Sequence, residues 1–176
     1  MEVRAEKVTE ESGQTDCFAF VSPMQCHGIA ATDTFAPGAD SNVPKIVSAQ
    51  TTAEAAVVYI PVTPPFGRDT SSRGVKVTSI KVHYDLDVAG TAASFKLYKT
   101  TRAADGTIAS AAEETTTCDH TEAQLYSADE HVPTLTVTTP VFLDDDESYH
   151  VELSITKAAT TDFSFYGAWV YFTRAL

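Results

Sequence analysis

From Ala55 onward the chain is written in short apolar runs separated by turn residues, and within each run the apolar positions recur every second residue. AAVVYIPV (55–62) has the β-branched and aromatic content of a strand, and Pro61 forbids a helix continuing through it. GVKVTSIKVHY (74–84) alternates through Val75 and Val77, then changes phase to Ile80, Val82 and Tyr84. A bulge near Thr78-Ser79 would return both sets to one face. SFKLYK (94–99) sets Phe95 and Leu97 against Lys96, and Asp105-Gly106 follows as a tight-turn signal. TLTVTTPVFL (134–143) alternates Leu135 and Val137 with threonines. SYHVELSIT (148–156) sets Tyr149, Val151, Leu153 and Ile155 against His150, Glu152 and Ser154, the pattern of a half-buried strand.

Upstream, CFAFV (17–21) predicts a short strand ended by Ser22-Pro23, and the Gly, Pro and Asp content through Pro44 predicts irregular connection. Residues 1–16 have no periodic apolar face and read as a polar arm. Helical periodicity is confined to residues 109–114, where the threonines at 115–117 discourage its continuation. The pattern predicts an all-β chain: a two-sheet antiparallel sandwich, a jelly roll by first choice, with an N-terminal arm over 1–16 and one domain over 17–176.

The C-terminal run DFSFYGAWVYFTRAL (162–176) departs from the alternation. Its odd positions hold Phe163, Phe165, Trp169 and Tyr171, and its even positions hold Tyr166, Ala168, Val170 and Phe172, so both faces are apolar. One face fills the core. The other needs cover, because large apolar patches are seldom left bare. A subunit interface carried by Tyr166, Trp169, Val170 and Phe172 is the expected cover; a loop or the N-terminal segment is the alternative.

Charge narrows the range of partners. Acidic residues number 24 against 12 basic ones, a formal net charge of -12, which repels phosphate backbones and anionic lipid head groups. No nucleic-acid or membrane partner is expected. The first residues lack the apolar segment of a secretory signal, and no stretch approaches the roughly 20 apolar residues of a membrane span. A chain made and kept in a cytoplasm, or leaving it by another route, is the expectation.

Candidate chemistry is sparse. Cys17, Cys26 and Cys118 have neither disulfide-framework nor zinc spacing and read as buried thiols. The run Asp144, Asp145, Asp146, Glu147 offers oxygen ligands for calcium but lacks the spacing of an EF-hand loop, so a solvated turn is expected; Asp85 and Asp87 are a second run of that kind. His83, His120 and His131 are scattered, without ligand spacing or a nucleophile elbow. No catalytic residue, metal or cofactor is expected. Tyr126, Tyr166, Trp169 and Tyr171 can also be read as an aromatic platform for sugars.

The succession GVKVTSIKVHYDL, SFKLYK, FLDDDESYHVELSI and FYGAWVYF resembles the small jelly-roll proteins of tailed bacteriophage virions, especially head decoration (cement) proteins and appendage domains. The likeness covers residues 55–176. It implies a virion structural protein, made in the host cytoplasm and placed on the capsid surface, that binds the major capsid protein as a homotrimer and stabilises the head. An arm carrying Arg4, Glu6 and Lys7 would grip the shell. The alternative implied is a receptor- or carbohydrate-binding fibre or spike domain.

Overall fold

The alternating runs pair into two antiparallel sheets that pack face to face. The structure, a computed structural model, describes residues 14–30, 35–40, 43–48, 53–63, 75–101, 111–140, 147–158 and 161–175. The strands are β1 (Gln14–Val21), β2 (His27–Ala30), β3 (Phe35–Asp40), β4 (Val43–Ser48), β5 (Ala55–Val62), β6 (Val75–Leu86) and β7 (Ala92–Thr101). They continue with β8 (Ala112–Glu113), β9 (Thr116–Cys118), β10 (Asp129–His131), β11 (Thr134–Val137), β12 (Glu147–Thr156) and β13 (Phe163–Ala175). A single-turn helix, α1 (Glu122–Leu125), lies between β9 and β10.

The larger sheet runs β3-β4-β13-β6-β11-β9, with β1 beside β13 and β10 beside β6; the smaller runs β2-β5-β12-β7-β8. The chain crosses between sheets from β4 to β5 to β6 to β7, and again from β11 to β12 to β13. Spatial orders of β4-β13-β6-β11 and β5-β12-β7-β8 are those of a jelly roll. Among the described residues no helix is long and apolar enough to cross a membrane.

Burial follows the period of two. β12 pairs with β5 from Tyr149 opposite Val62 to Thr156 opposite Ala55, and with β7 along its other edge. Tyr149, Val151, Leu153 and Ile155 are buried together with Val58, Ile60, Phe95 and Leu97. Across the core they meet the buried Ile80, Val82 and Tyr84 of β6 and the buried Phe163, Phe165, Val170 and Phe172 of β13.

Two bulges keep the larger sheet in phase with that core. Tyr171 lies opposite Ser79 and Phe172 opposite Val77, so Thr78 is the extra residue, where the sequence pattern placed it. The second bulge is in β13 itself. The register steps from Phe165 opposite Tyr84 to Gly167 opposite His83, leaving Tyr166 as the extra residue. Gly167 has φ 124°, a conformation that side chains disfavour.

This second bulge corrects the expectation for the C-terminal run. Odd and even positions exchange faces at Tyr166, so Phe163 and Phe165 share the core with Ala168, Val170 and Phe172. Val170 and Phe172, at 0% and 1% exposure, are therefore core residues and unavailable to a neighbouring subunit. β1 pairs alongside Ala168 to Ala175 of β13, and its Phe18 and Phe20 rings pack against Tyr171 and Trp169, so the N-terminal segment supplies part of the cover.

Other expectations shift as well. β1 starts at Gln14, so residues 14–16 are strand, and Arg4, Glu6 and Lys7 lie outside the described residues. The stretch through Pro44, expected to be irregular, contains β2 and β3. β3 is an edge strand, the position where its Pro37 and Gly38 are tolerated. Ala112 and Glu113, expected to be helical, pair instead with Lys99 and Tyr98. The helix is α1, begun by a Thr121/Gln124 capping box.

Tyr84 ties α1 to the core. Its hydroxyl donates to the Leu125 carbonyl at 2.6 Å, its ring lies against Phe163 and His131, and burial raises the phenol above its ordinary pKa. Tyr84→Phe, which leaves that carbonyl without its donor, should cost about 1–3 kcal/mol and lower the urea midpoint at unchanged m-value. A Cβ at Gly167 would come within 2.8 Å of both the Phe20 ring and the Val21 carbonyl. Gly167→Ala should therefore cost more than about 1 kcal/mol and speed amide exchange along β1, measured by hydrogen-exchange mass spectrometry.

Candidate functional site

The bulge at Tyr166 turns Trp169 and Tyr171 to the outer side of the larger sheet, where β1 brings two more rings beside them. Phe20 lies opposite Trp169 in register and Phe18 opposite Tyr171. Their ring centroids are 5.2 Å and 6.1 Å apart, both pairs tilted. Phe18 is 63% exposed and Phe20 49%, while Trp169 and Tyr171 are half-buried. The result is an exposed aromatic row along β1 and β13, on a surface that an isolated sandwich would make polar.

Beside the other bulge, at Thr78, the face sinks into an open depression of about 310 Å³. Asp16, Cys17, Thr78, Ser79, Tyr171, Phe172 and Thr173 line it. The Thr173 hydroxyl donates to the Asp16 carboxylate at 2.9 Å, and the Thr78 hydroxyl donates to the Tyr171 carbonyl at 3.1 Å. A carboxylate has room for further donors beyond that one hydroxyl. An aromatic wall thus meets a floor of hydroxyls and one negative charge.

At the far end of β13 the Tyr166 ring packs 4.8 Å from His83, and Lys45 Nζ stands 5.8 Å above it. His83 Nε2 lies 2.6 Å from Glu130 Oε1. Of the four tyrosine and tryptophan positions singled out in the sequence, the fold therefore brings Tyr166, Trp169 and Tyr171 to one face. Tyr126 is not among them; it caps α1, with its Cβ close to Gly90.

The polar candidates are engaged structurally. His83 is partnered by Glu130, while Asp85 faces Glu130 and Ser164 in register. The Asp87 carboxylate accepts the Asp162 backbone N–H at 2.6 Å. His131 is buried and its Nε2 lies 2.8 Å from the Ser127 carbonyl. Asp119 holds His120 Nδ1 at 2.7 Å and accepts the Thr134 N–H at 2.8 Å. Burial alone would raise its carboxyl, but these hydrogen bonds leave the pKa below the ordinary value. Cys17, Cys26 and Cys118 are half-buried. Burial pushes the Cys26 thiol up to about 12, so it is not a thiolate at neutral pH. Glu147 pairs with Lys99 at 3.0 Å, whereas Asp144, Asp145 and Asp146 lie outside the described residues. Among the described residues no three His, Cys, Asp or Glu side chains gather as a metal site.

The smaller sheet carries a second aromatic group that the sequence reading missed. His150 of β12 lies between Tyr98 of β7 and Tyr59 of β5, with centroid distances of 5.4 Å and 5.9 Å. Each of these residues is the polar-face position of its strand, and only strand pairing assembles them. Cross-strand register was the missing signal.

No protein-family model and no curated protein sequence matches the chain. Among solved structures, the family 11 carbohydrate-binding module of the Clostridium thermocellum cellulase Lic26A-Cel5E is similar over 88% of this chain and 94% of its own, at 9% identity and TM-score 0.42. The CBM22-1–GH10 modules of Clostridium thermocellum endo-1,4-beta-D-xylanase 10B, complexed with xylohexaose, are similar over 88% of this chain at 14% identity and TM-score 0.42. This chain spans 27% of that protein's length. The enzymatically active domain of bacteriophage CBA120 tailspike protein 4 is similar over 90% of this chain and 19% of its own, at 6% identity and TM-score 0.35.

Proposed function

We propose that the protein is a non-enzymatic binding module that takes a neutral carbohydrate on the outer face of its larger sheet. The observation that carries this reading is the exposed row of Phe18, Phe20, Trp169 and Tyr171 opening onto the depression at Asp16 and Thr173. A sugar ring has apolar C–H faces and a rim of hydroxyls. It needs aromatic surface for the first, and convergent donors and acceptors for the second. This face offers both within one stretch of β1 and β13. The charge of -12 disfavours uronic or sulfated chains and so selects neutral ones.

In a virion this reading is that of a carbohydrate-binding appendage domain. Capsid decoration, with a homotrimer seated on the major capsid protein, is a second reading. It is favoured by Phe18, 63% exposed on a strand at the side of the sheet, which is apolar surface of the kind a neighbouring subunit covers.

Calorimetric titration against cellohexaose, xylohexaose, mannohexaose and laminarihexaose should detect binding to at least one. Tyr171→Ala and Trp169→Ala should each weaken that binding at least about tenfold, with the circular dichroism spectrum retained. A protein that binds none of the four, yet sediments as an oligomer that Phe18→Ser converts to monomer, would overturn the reading in favour of a subunit interface.

A further inference from the structure

The outer face of the smaller sheet combines ring surface with matched hydrogen-bonding groups. Tyr59, His150 and Tyr98 form a ridge that crosses three neighbouring strands, β5, β12 and β7. Tyr98 and His150 are stacked nearly parallel, 17° between planes, and Tyr59 is tilted against the other side of His150. All three are half-buried.

The polar groups around the ridge are held in place by one another. Tyr59 lies opposite Glu152 in register, and partial burial followed by the Glu152 charge raises the phenol's pKa above its ordinary value. It therefore stays a protonated donor. Lys96 pairs with Glu113 at 2.9 Å. Glu113 lies opposite Tyr98 in register and Lys96 opposite Glu152, so the Lys96–Glu113 pair borders the rings.

The chemistry of this surface selects its ligand. Beside the ridge stand the carboxylates of Glu113 and Glu152 and the one ammonium group of Lys96, a balance that repels phosphate, sulfate and uronate groups. Among the described side chains the surface's aliphatic residues are Ala55, Val57 and Pro61 on β5 and Ala92 on β7, against the serines Ser94 and Ser154 on the facing strands. An apolar helix or strand would find little to bury there. A neutral ring with a hydroxyl rim suits it, resting on the aromatic ridge and exchanging hydrogen bonds with the phenols, Glu152 and the Lys96–Glu113 pair.

We propose that the Tyr59–His150–Tyr98 ridge is a second carbohydrate site, so that the module holds two glycan chains on opposite faces. The two faces are separated by the full thickness of the sandwich, whose sheets pack about 10 Å apart before the outer side chains are counted. One short chain cannot reach both. The ridge stands on its own observations, and only the bridging of two chains rests on the reading of the larger sheet.

The test is a nitrogen-15 NMR titration of the whole protein with the same four neutral hexasaccharides. Amide shifts should move at Tyr59, Tyr98, His150 and Glu152 as well as along β1 and β13. The Tyr59→Ala/Tyr98→Ala protein should lose the first set at least about tenfold in affinity while keeping the second. A milder Glu152→Gln variant, which preserves the rings, should weaken the ridge set alone. Shifts confined to β1 and β13 would overturn the second site and leave the first standing. Shifts confined to the ridge would uphold it and overturn the first. No shift with any of the four sugars would overturn both.

Discussion

Strand β13 has to serve two apolar environments with one period of two, and the rest of the structure depends on how it does so. It lies at the centre of the larger sheet, between β6 on one edge and β4 with β1 on the other. Its inward side chains include three of the largest in the core, with Phe163 and Phe165 at 0% and Phe172 at 1% exposure. An uninterrupted alternation would have sent Trp169 and Tyr171 into that core behind Phe165, and Val170 and Phe172 outward. A single extra residue at Tyr166, permitted by the positive φ of Gly167, exchanges the two sets. Smaller side chains then fill the centre of the sandwich, and the large amphipathic rings reach the surface.

The same device explains why surface relief sits where it does. A bulge interrupts the hydrogen-bond ladder, bends its strand and increases the local twist. The Thr78 bulge in β6 faces Tyr171 and Phe172, and the depression forms there, beneath the last ring of the aromatic row. Gly167 allows Phe20 to settle over the backbone and against Trp169, which positions β1 along the rest of β13. Core packing, the seating of the N-terminal strand and the candidate site are thus three consequences of two inserted residues.

Legibility in the sequence varied with the contrast between faces. β5 and β12 were delimited to within a residue because their inward positions are apolar and their outward ones polar, as in Tyr149, Val151, Leu153 and Ile155 against His150, Glu152 and Ser154. The Thr78 bulge was visible for that reason, since a phase change shows when one face is polar. The Tyr166 bulge was hidden because both faces of β13 are apolar, and Gly167 inside a strand was its one trace. Assigning Val170 and Phe172 to an interface followed from that blind spot. α1 is too short for periodicity, and its capping box at Thr121 and Gln124 was the readable sign. The Tyr59–His150–Tyr98 ridge is assembled by register between strands far apart in sequence, which no local pattern encodes.

An antiparallel sandwich needs apolar residues on its inner faces alone, and here rings stand on both outer faces as well. The two outer groups also differ in kind. Phe18, Phe20 and Trp169 are apolar and Phe18 is largely exposed, a cost in solubility that folding does not demand. Tyr59, His150 and Tyr98 carry polar tips and are bordered by the Lys96–Glu113 ion pair, an arrangement compatible with water until a ligand displaces it. Neither group belongs to the core cluster, whose members, among them Ile60, Leu97, Val151 and Val170 at 0% exposure, lie on the inner sides of the two sheets. Departures from polar-out patterning that contribute nothing to the core are where binding function is expected in a fold that is otherwise locally consistent.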